Sequence, residues 1–186
     1  SVPRLCRRLQ ISEAEFYSEF PSLEAVEARF WEETVERVIE RIESGEAYSE
    51  FTARQRLLAF LFTYLEEAVS FRSLLLLRFR DLPAHAQPDW LKAFHTRFER
   101  FAREVLDHGI QTREIARRGP LSGLYRRALT FHFRSVLAFH VRDDSPGFER
   151  SDAYVEKSVR LAFDAMNPQL LDSALDLARF FLPAKR

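Results

Sequence analysis

Apolar residues recur at helical spacing along almost the whole chain, and the alternation typical of strands is absent. Short breaks divide this pattern into segments. The predicted helices cover residues 1–9, 12–20, 23–43, 52–65, 71–79, 90–105, 121–141, 152–166 and 168–183. A basic stretch from Gly109 to Gly119 is predicted to be mainly loop. The sequence therefore predicts an all-α protein.

Several breaks carry the chemistry of helix ends. A serine or threonine followed three residues later by Glu or Gln forms a capping box, and glycine commonly follows the last turn. The signals are the capping boxes Ser12–Glu15 and Thr52–Gln55, the cap Ser22 and the terminator Gly45. These positions define a pair of short helices followed by a long one.

Size and composition are those of one domain with a sizeable core. The chain has 186 residues, of which 46% are hydrophobic and 30% are charged. Charge interrupts every apolar stretch well before the roughly 20 residues of a membrane span. A single cysteine, Cys6, excludes an internal disulfide framework, and no signal peptide is recognisable after Ser1. We therefore expect a cytoplasmic protein without a membrane span.

Charge is unevenly distributed although the net charge is zero. Residues 1–44 hold six basic and ten acidic residues, a net charge of −4, whereas residues 109–186 hold thirteen and nine, a net charge of +4. The N-terminal end is therefore expected to be acidic, which is the unfavourable sign for contact with nucleic acid phosphates.

The two short N-terminal helices, joined by a tight turn at Gln10-Ile11, indicate a helix-turn-helix. The segment resembles the TetR family of transcriptional regulators at positions that fix both helix caps and the aromatic residues. The matches are Ser1-Val2, Ile11-Ser12, Phe16-Tyr17, Phe20, Pro21-Ser22 and Glu24-Ala25. The resemblance implies a TetR-like fold, with a helix-turn-helix region over residues 1–44 and a helical ligand-binding and dimerisation domain over residues 45–186.

The chain departs from the family pattern in its DNA-contacting chemistry. The family's first helix has no counterpart ahead of Ser1, the turn glycine is Gln10, and the phosphate-binding lysine is Leu23. The recognition helix carries three glutamates and no basic residue. Because an exposed carboxylate near a phosphate costs about 1 kcal/mol, we expect DNA affinity to be weakened. Arginines on the preceding helix compensate in part.

The resemblance implies three groups of site residues. The DNA contacts would be Ser1, Arg4, Arg8, Ser12, Tyr17 and Ser18. A cavity for a small apolar molecule would be lined by Phe60, Tyr64, Phe71, Trp90, Phe94, Phe98, Phe131 and His132. A homodimer interface would use Leu129, Val136, Val155, Val159 and Phe163. The alternative for both apolar groups is ordinary packing within one chain.

The leading hypothesis is a TetR-like transcriptional regulator that senses a small apolar ligand. The alternative is a TetR-fold protein without DNA binding that holds a lipid or isoprenoid-like molecule. A protein-interaction module that uses the acidic end is a third hypothesis. The sequence has no nucleophile–base pattern and no glycine-rich phosphate loop, and His132 and His140 lack further ligands at metal-binding spacing. We therefore expect no enzyme activity, metal or cofactor.

Overall fold

A computed structural model describes residues 1–83, 86, 88–117 and 122–167. The α-helices are α1 (Val2–Leu9), α2 (Glu13–Glu19), α3 (Leu23–Glu43), α4 (Ala53–Ala68), α5 (Arg72–Phe79), α6 (Asp89–Gln111), α7 (Ser122–His140) and α8 (Glu149–Met166). Strands are absent from these ranges, so the all-α prediction is confirmed. Every helix in them is too short or too polar to cross a bilayer. The predicted last helix, over residues 168–183, lies outside the described residues.

The predicted capping boxes begin α2 and α4. Ser12 Oγ accepts a hydrogen bond from the Glu15 backbone N–H at 3.1 Å, and the Ser12 backbone N–H donates to Glu15 Oε2 at 2.7 Å. Thr52 and Gln55 form the same pair of bonds. Gln10 ends α1 with φ of 59°, which is left-handed backbone. A residue with a side chain adopts this conformation at a cost of roughly 1–2 kcal/mol. The turn therefore has the backbone geometry that glycine adopts most easily, although the residue here is glutamine.

The core combines α3 with the helices that follow it. α3 packs most extensively against α6, and α4, α7 and α8 complete the surrounding layer. Trp31, Val35 and Val38 of α3 are fully buried in the same cluster as Phe60 of α4 and Phe98 of α6. Packing therefore continues across residue 44, where the sequence suggested a domain boundary.

Ion pairs join α3 to later helices without changing the net charge expected of the N-terminal end. Glu27 of α3 accepts two hydrogen bonds from Arg78 of α5, at 2.6 and 2.5 Å, and Glu36 of α3 pairs with Arg97 of α6. In the opposite sense, two arginines of α3 pair with two glutamates of α4, at 2.7 and 2.9 Å. Two acidic and two basic residues of the first 44 are thus paired with later residues, so the net charge of −4 remains.

The stretch from Gly109 to Gly119 is less loop-like than predicted, because α6 continues to Gln111. A Cβ on Gly109 would lie 2.6 Å from Ile115 Cδ1 and 2.9 Å from Ala53 Cβ. Glycine is therefore required here by close packing inside a helix, and it does not mark the end of that helix. Glu114 lies in the following turn and caps α4, where its carboxylate accepts from the backbone N–H groups of Ala53 and Arg54.

Candidate functional site

Helices α1 and α2 pack together into a small N-terminal head, defined here as residues 1–20. Cys6 and Phe16 are its buried residues, and the Phe16 ring lies 6.2 Å from the half-buried Phe20 ring. Leu9 lies one helical turn after Cys6, a spacing that predicts a place in this small core, but it is 56% exposed. That expectation is wrong because α1 turns Cys6, and not its last residue, towards α2.

One of the three glutamate side chains of the recognition helix α2 accepts hydrogen bonds within the head. Glu15 Oε2 accepts from both the backbone N–H and the hydroxyl of Ser12, at 2.7 and 2.8 Å. These hydrogen bonds hold the pKa of Glu15 below its ordinary value. Glu15 therefore folds back over the start of α2, where it remains an exposed carboxylate, as do Glu13 and Glu19.

The six residues predicted to contact DNA are all exposed. In some of them, however, the side-chain hydrogen-bond donor is already used within the protein. The Ser12 hydroxyl donates to Glu15 Oε2, and the Ser18 hydroxyl donates to the Glu15 carbonyl oxygen at 2.7 Å. A hydroxyl has one proton. These two serines would therefore have to exchange partners before either could donate to a phosphate.

Arg4, Arg8 and Tyr17 retain their donors, as does the hydroxyl of Ser1. None of these side chains has a hydrogen-bond partner within the described ranges, and Tyr17 is 53% exposed. The Tyr17 ring packs edge-on against the buried Phe16 ring at 5.2 Å. Two arginines and one tyrosine of the head are thus exposed, and their hydrogen-bond donors are not used within the described residues.

Four of the residues predicted to line a ligand cavity form a filled aromatic core instead: Phe60, Tyr64, Phe94 and Phe98. All four rings are fully buried, and Phe133 of α7 lies among them with centroid distances of 4.6 to 5.1 Å. Phe133 was not among the residues predicted from the sequence. The rings occupy the space that a ligand would need, so the structure assigns these residues to packing.

The remaining predicted ligand residues lie around or outside this core. Phe71 and Trp90 are half-buried against Trp31, with centroids at 5.9 and 5.4 Å. Phe131 is 61% exposed, so its predicted interior position is wrong: it lies on the face of α7 opposite to the buried Leu129 and Phe133. His132 does not face a ligand chamber either, since its Nε2 lies 2.7 Å from Ser158 Oγ and links α7 to α8.

The apolar stripes predicted for dimerisation are buried within one chain. Leu129, Val136, Val155, Val159 and Phe163 are each at most 5% exposed and belong to the main core. A second chain cannot contact side chains that are already enclosed, so these five positions are wrong as direct interface residues. The outward face of the same helices carries Leu124, Phe131 and Leu161, with exposures of 59, 61 and 70%.

Aromatic stacking and a hydrogen bond order part of this outward face. The rings of Phe139 and Tyr154 stack at 4.5 Å with an interplanar angle of 4°, and the Tyr154 hydroxyl donates to Ser135 Oγ at 3.1 Å. These contacts join α7 to α8, and both rings are half-buried, so part of each ring is exposed to solvent.

Two open cavities lie at the surface of the protein. One, of about 450 Å³, lies between α6 and α7 and is lined by Lys92, His95, Arg127, Phe131 and Arg134 among others. The other, of about 590 Å³, lies between α4 and the segment that leads into α8. Its lining includes Phe62, Glu66, Val69, His140, Phe148 and Asp152.

Burial sets the charge state of three histidines, His95, His132 and His140, called here the desolvated histidines. Loss of hydration lowers the pKa of each to about 4, and the charge of Arg134 also lowers that of His95. For His140 the charge of Arg72 contributes as well, and Asp143 opposes it. All three are therefore neutral at pH 7.

A buried polar network that was not predicted from the sequence lies behind the larger cavity. Asp143 accepts from the backbone N–H and hydroxyl groups of both Ser145 and Ser151, at 2.6 to 2.9 Å. Burial by itself raises the pKa of Asp143, but these hydrogen bonds outweigh it and hold the pKa below its ordinary value. The Asp143-x-Ser145 spacing is a turn signal, whereas nothing local indicates the bond to Ser151.

Comparison with known proteins places this architecture in a family. Residues 56–181 match the family model described as "Tetracyclin repressor-like, C-terminal domain". No curated protein matches the chain. The fold is similar to that of a solved protein with unknown function from Rhodococcus sp. RHA1, with a TM-score of 0.56 and 19% identity over 89% of this chain and 84% of that chain. Because the family model covers more than half of the 186 residues, the chain belongs to the TetR family.

Proposed function

We propose that the protein is a TetR-like transcriptional regulator that contacts DNA through α1 and α2 and responds to a small, largely apolar ligand. The observation that carries the proposal is the chemistry of the N-terminal head. Glu15 is folded back into the helix cap, while Arg4, Arg8 and Tyr17 are exposed. Phosphate contacts from such donors supply most non-specific DNA affinity.

The charge of the head is compatible with this role. Residues 1–20 contain three arginines, all on α1, and three glutamates, all on α2. The capping hydrogen bonds leave the negative charge of Glu15 in place, so the three glutamates balance the three arginines, and the two kinds of charge lie on different helices. We therefore expect α1 to provide most of the phosphate contacts and α2 to contribute Tyr17.

A homodimer is part of the proposal, because a two-fold axis would present two heads to the two halves of a palindromic site. The exposed face of α7 and α8, with Leu124, Phe131 and Leu161, is the proposed interface. Three exposed large apolar side chains on two adjacent helices favour association with a second copy. The filled aromatic core lends no support to the alternative of a lipid held in the interior.

Selection from a pool of random DNA duplexes tests the proposal. The purified protein should enrich a palindromic sequence, and the complex should contain two chains per site. A tenfold rise in salt concentration should weaken binding strongly, since released counterions dominate the affinity. Recovery of unenriched DNA, with no retention above background at low salt, would refute the DNA-binding role.

A further inference from the structure

Helix α7 contains three arginines and neither Asp nor Glu. Two of these arginines, Arg127 and Arg134, line the cavity of about 450 Å³ between α6 and α7, and Lys92 of α6 lines it as well. Glu99 of α6 contributes a carboxylate to the same lining. Three cationic side chains and one carboxylate therefore share a cavity of the size that small ligands occupy.

Ion pairs within the protein leave this cavity positively charged. Glu99 lies 3.9 Å from the third arginine of α7, and Lys92 pairs with the exposed Asp89 at 2.7 Å. Each of these pairs is neutral as a whole. Within the described ranges, neither Arg127 nor Arg134 has an ion-pair partner. The charges of these two arginines therefore remain, and they favour an anionic ligand.

Arg134 keeps its charge in a place where hydration is incomplete. Its guanidinium donates to the carbonyl oxygens of Pro83 and Ala86, at 3.1 and 3.2 Å, which leaves three of its five N–H groups for other partners. Burial lowers the pKa of Arg134, and the charge of Arg134 adds to burial in lowering the pKa of His95 in the same lining. A partly desolvated cation of this kind is stabilised by an anion beside it.

Arg127 and Phe131 supply a second cation and an apolar surface. Arg127 is exposed and has no hydrogen-bond partner in the part of the chain that the structure describes, so its donors are available. Phe131 is 61% exposed and lines the same cavity. Guanidinium groups bind carboxylates through paired N–H···O bonds, and a phenyl ring packs well against a second aromatic ring. The lining thus offers both contacts that an aromatic carboxylate requires.

We propose that the cavity between α6 and α7 binds a small aromatic carboxylate, whose carboxylate group contacts Arg127 and Arg134 and whose ring packs against Phe131. The proposal deepens the ligand-sensing role and rests on it for its biological consequence. Binding itself is measured without DNA, so a failure of the carboxylate site and a failure of the regulator function can be told apart.

Three probes separate the contribution of the charge from that of the ring: 3-phenylpropanoate, 3-phenylpropanamide and acetate. The amide keeps the ring and the shape but lacks the charge, and acetate keeps the charge but lacks the ring. Isothermal titration calorimetry of the whole protein at pH 7 should show 3-phenylpropanoate binding about tenfold or more tightly than either other probe, as expected for charge-assisted hydrogen bonds combined with an apolar contact. Absence of 3-phenylpropanoate binding, or an equal affinity for either other probe, would overturn the proposal.

Arg127→Gln tests the contact with the carboxylate group. Because Arg127 is exposed, the variant should fold, and it should bind 3-phenylpropanoate about tenfold more weakly while its affinity for the amide is unchanged. Arg160→Gln is the matched control, since it removes the same charge from an exposed position on α8, and it should bind like the unmodified protein. Equal affinities of the two variants for 3-phenylpropanoate would contradict the assigned contact.

Glu99→Gln provides a test by gain of affinity, which partial unfolding cannot imitate. Loss of this carboxylate from the lining should strengthen 3-phenylpropanoate binding about threefold, and weaker or unchanged binding would count against an anion site.

The proposed dimer face shares Phe131 with this cavity, so the two must be tested separately. All the described lining residues belong to one chain. Leu161→Glu, which should be monomeric, is therefore expected to retain 3-phenylpropanoate binding. Loss of binding in this variant, with its helix content unchanged, would overturn a site formed by one chain.

Discussion

Replacing Phe133 by alanine should strongly destabilise the protein. The side chain is fully buried, and its ring centroid lies 4.6 Å from that of Phe98, 4.8 Å from Phe94, 4.9 Å from Tyr64 and 5.1 Å from Phe60. A buried Phe→Ala change typically costs about 3–5 kcal/mol of unfolding free energy. Four ring contacts place this position near the upper end of that range.

Urea unfolding, followed by circular dichroism and by fluorescence of Trp31 and Trp90, which pack against each other, measures the loss of stability. Phe133→Leu removes about three carbons and should cost roughly 2 kcal/mol, so it remains measurable if the alanine variant does not fold. Phe131→Ala is the control, because this phenylalanine of the same helix is 61% exposed. It should change stability by less than about 0.5 kcal/mol.

The alanine variant also tests whether the aromatic core is filled. Deleting the ring should leave an apolar cavity that binds benzene and is stabilised by it, whereas the unmodified protein should not respond. Equal costs for the two alanine substitutions, or equal stabilisation of the unmodified protein by benzene, would refute the assignment of these rings to packing.

Lowering the pH from 7 to 5 should destabilise the protein, although this range lies above the ordinary pKa values of carboxyl groups. The desolvated histidines have folded pKa values near 4, against 6.5 for an exposed histidine. The unfolded chain therefore binds more protons between these values, and unfolding free energy should fall with decreasing pH by at most about 1.4 kcal/mol per unit for each histidine; a flat profile between pH 7 and 5 would contradict this. Glu15→Ala should speed amide exchange in α2 about fivefold through loss of its cap, worth about 1 kcal/mol, whereas Glu19→Gln should leave exchange unchanged and strengthen DNA binding. Leu161→Glu should shift sedimentation from dimer to monomer, and Leu77→Glu, which alters an equally exposed leucine on α5, should not.

Local signals in the sequence located the helix ends well, because capping depends on residues three or four positions apart. Both capping boxes form as expected, and α3 has the predicted bounds. The overall topology followed from the resemblance of the N-terminal motif to a known family. Helix ends and a local motif can be predicted without knowing which helices pack against each other.

Contacts between distant segments could not be predicted from the sequence. Phe131 and Phe133 both lie on an apolar stretch of α7, and only the packed fold shows that Phe133 faces inward. Glu36 appears acidic within its sequence window, but Arg97 lies against it in the fold. Gly109 has the identity of a helix terminator, yet close contact with Ile115 keeps it inside α6.

The salt dependence of DNA binding tests the central claim most directly. In a plot of log affinity against log salt concentration, each phosphate contact contributes a slope of about −0.9. Arg8→Ala should reduce the steepness by about one per head and weaken binding to all sequences alike. Arg160→Ala removes an exposed arginine from α8, away from the head, and should leave the slope unchanged. Loss of slope in the Arg160 variant and not in the Arg8 variant would contradict DNA contact through α1.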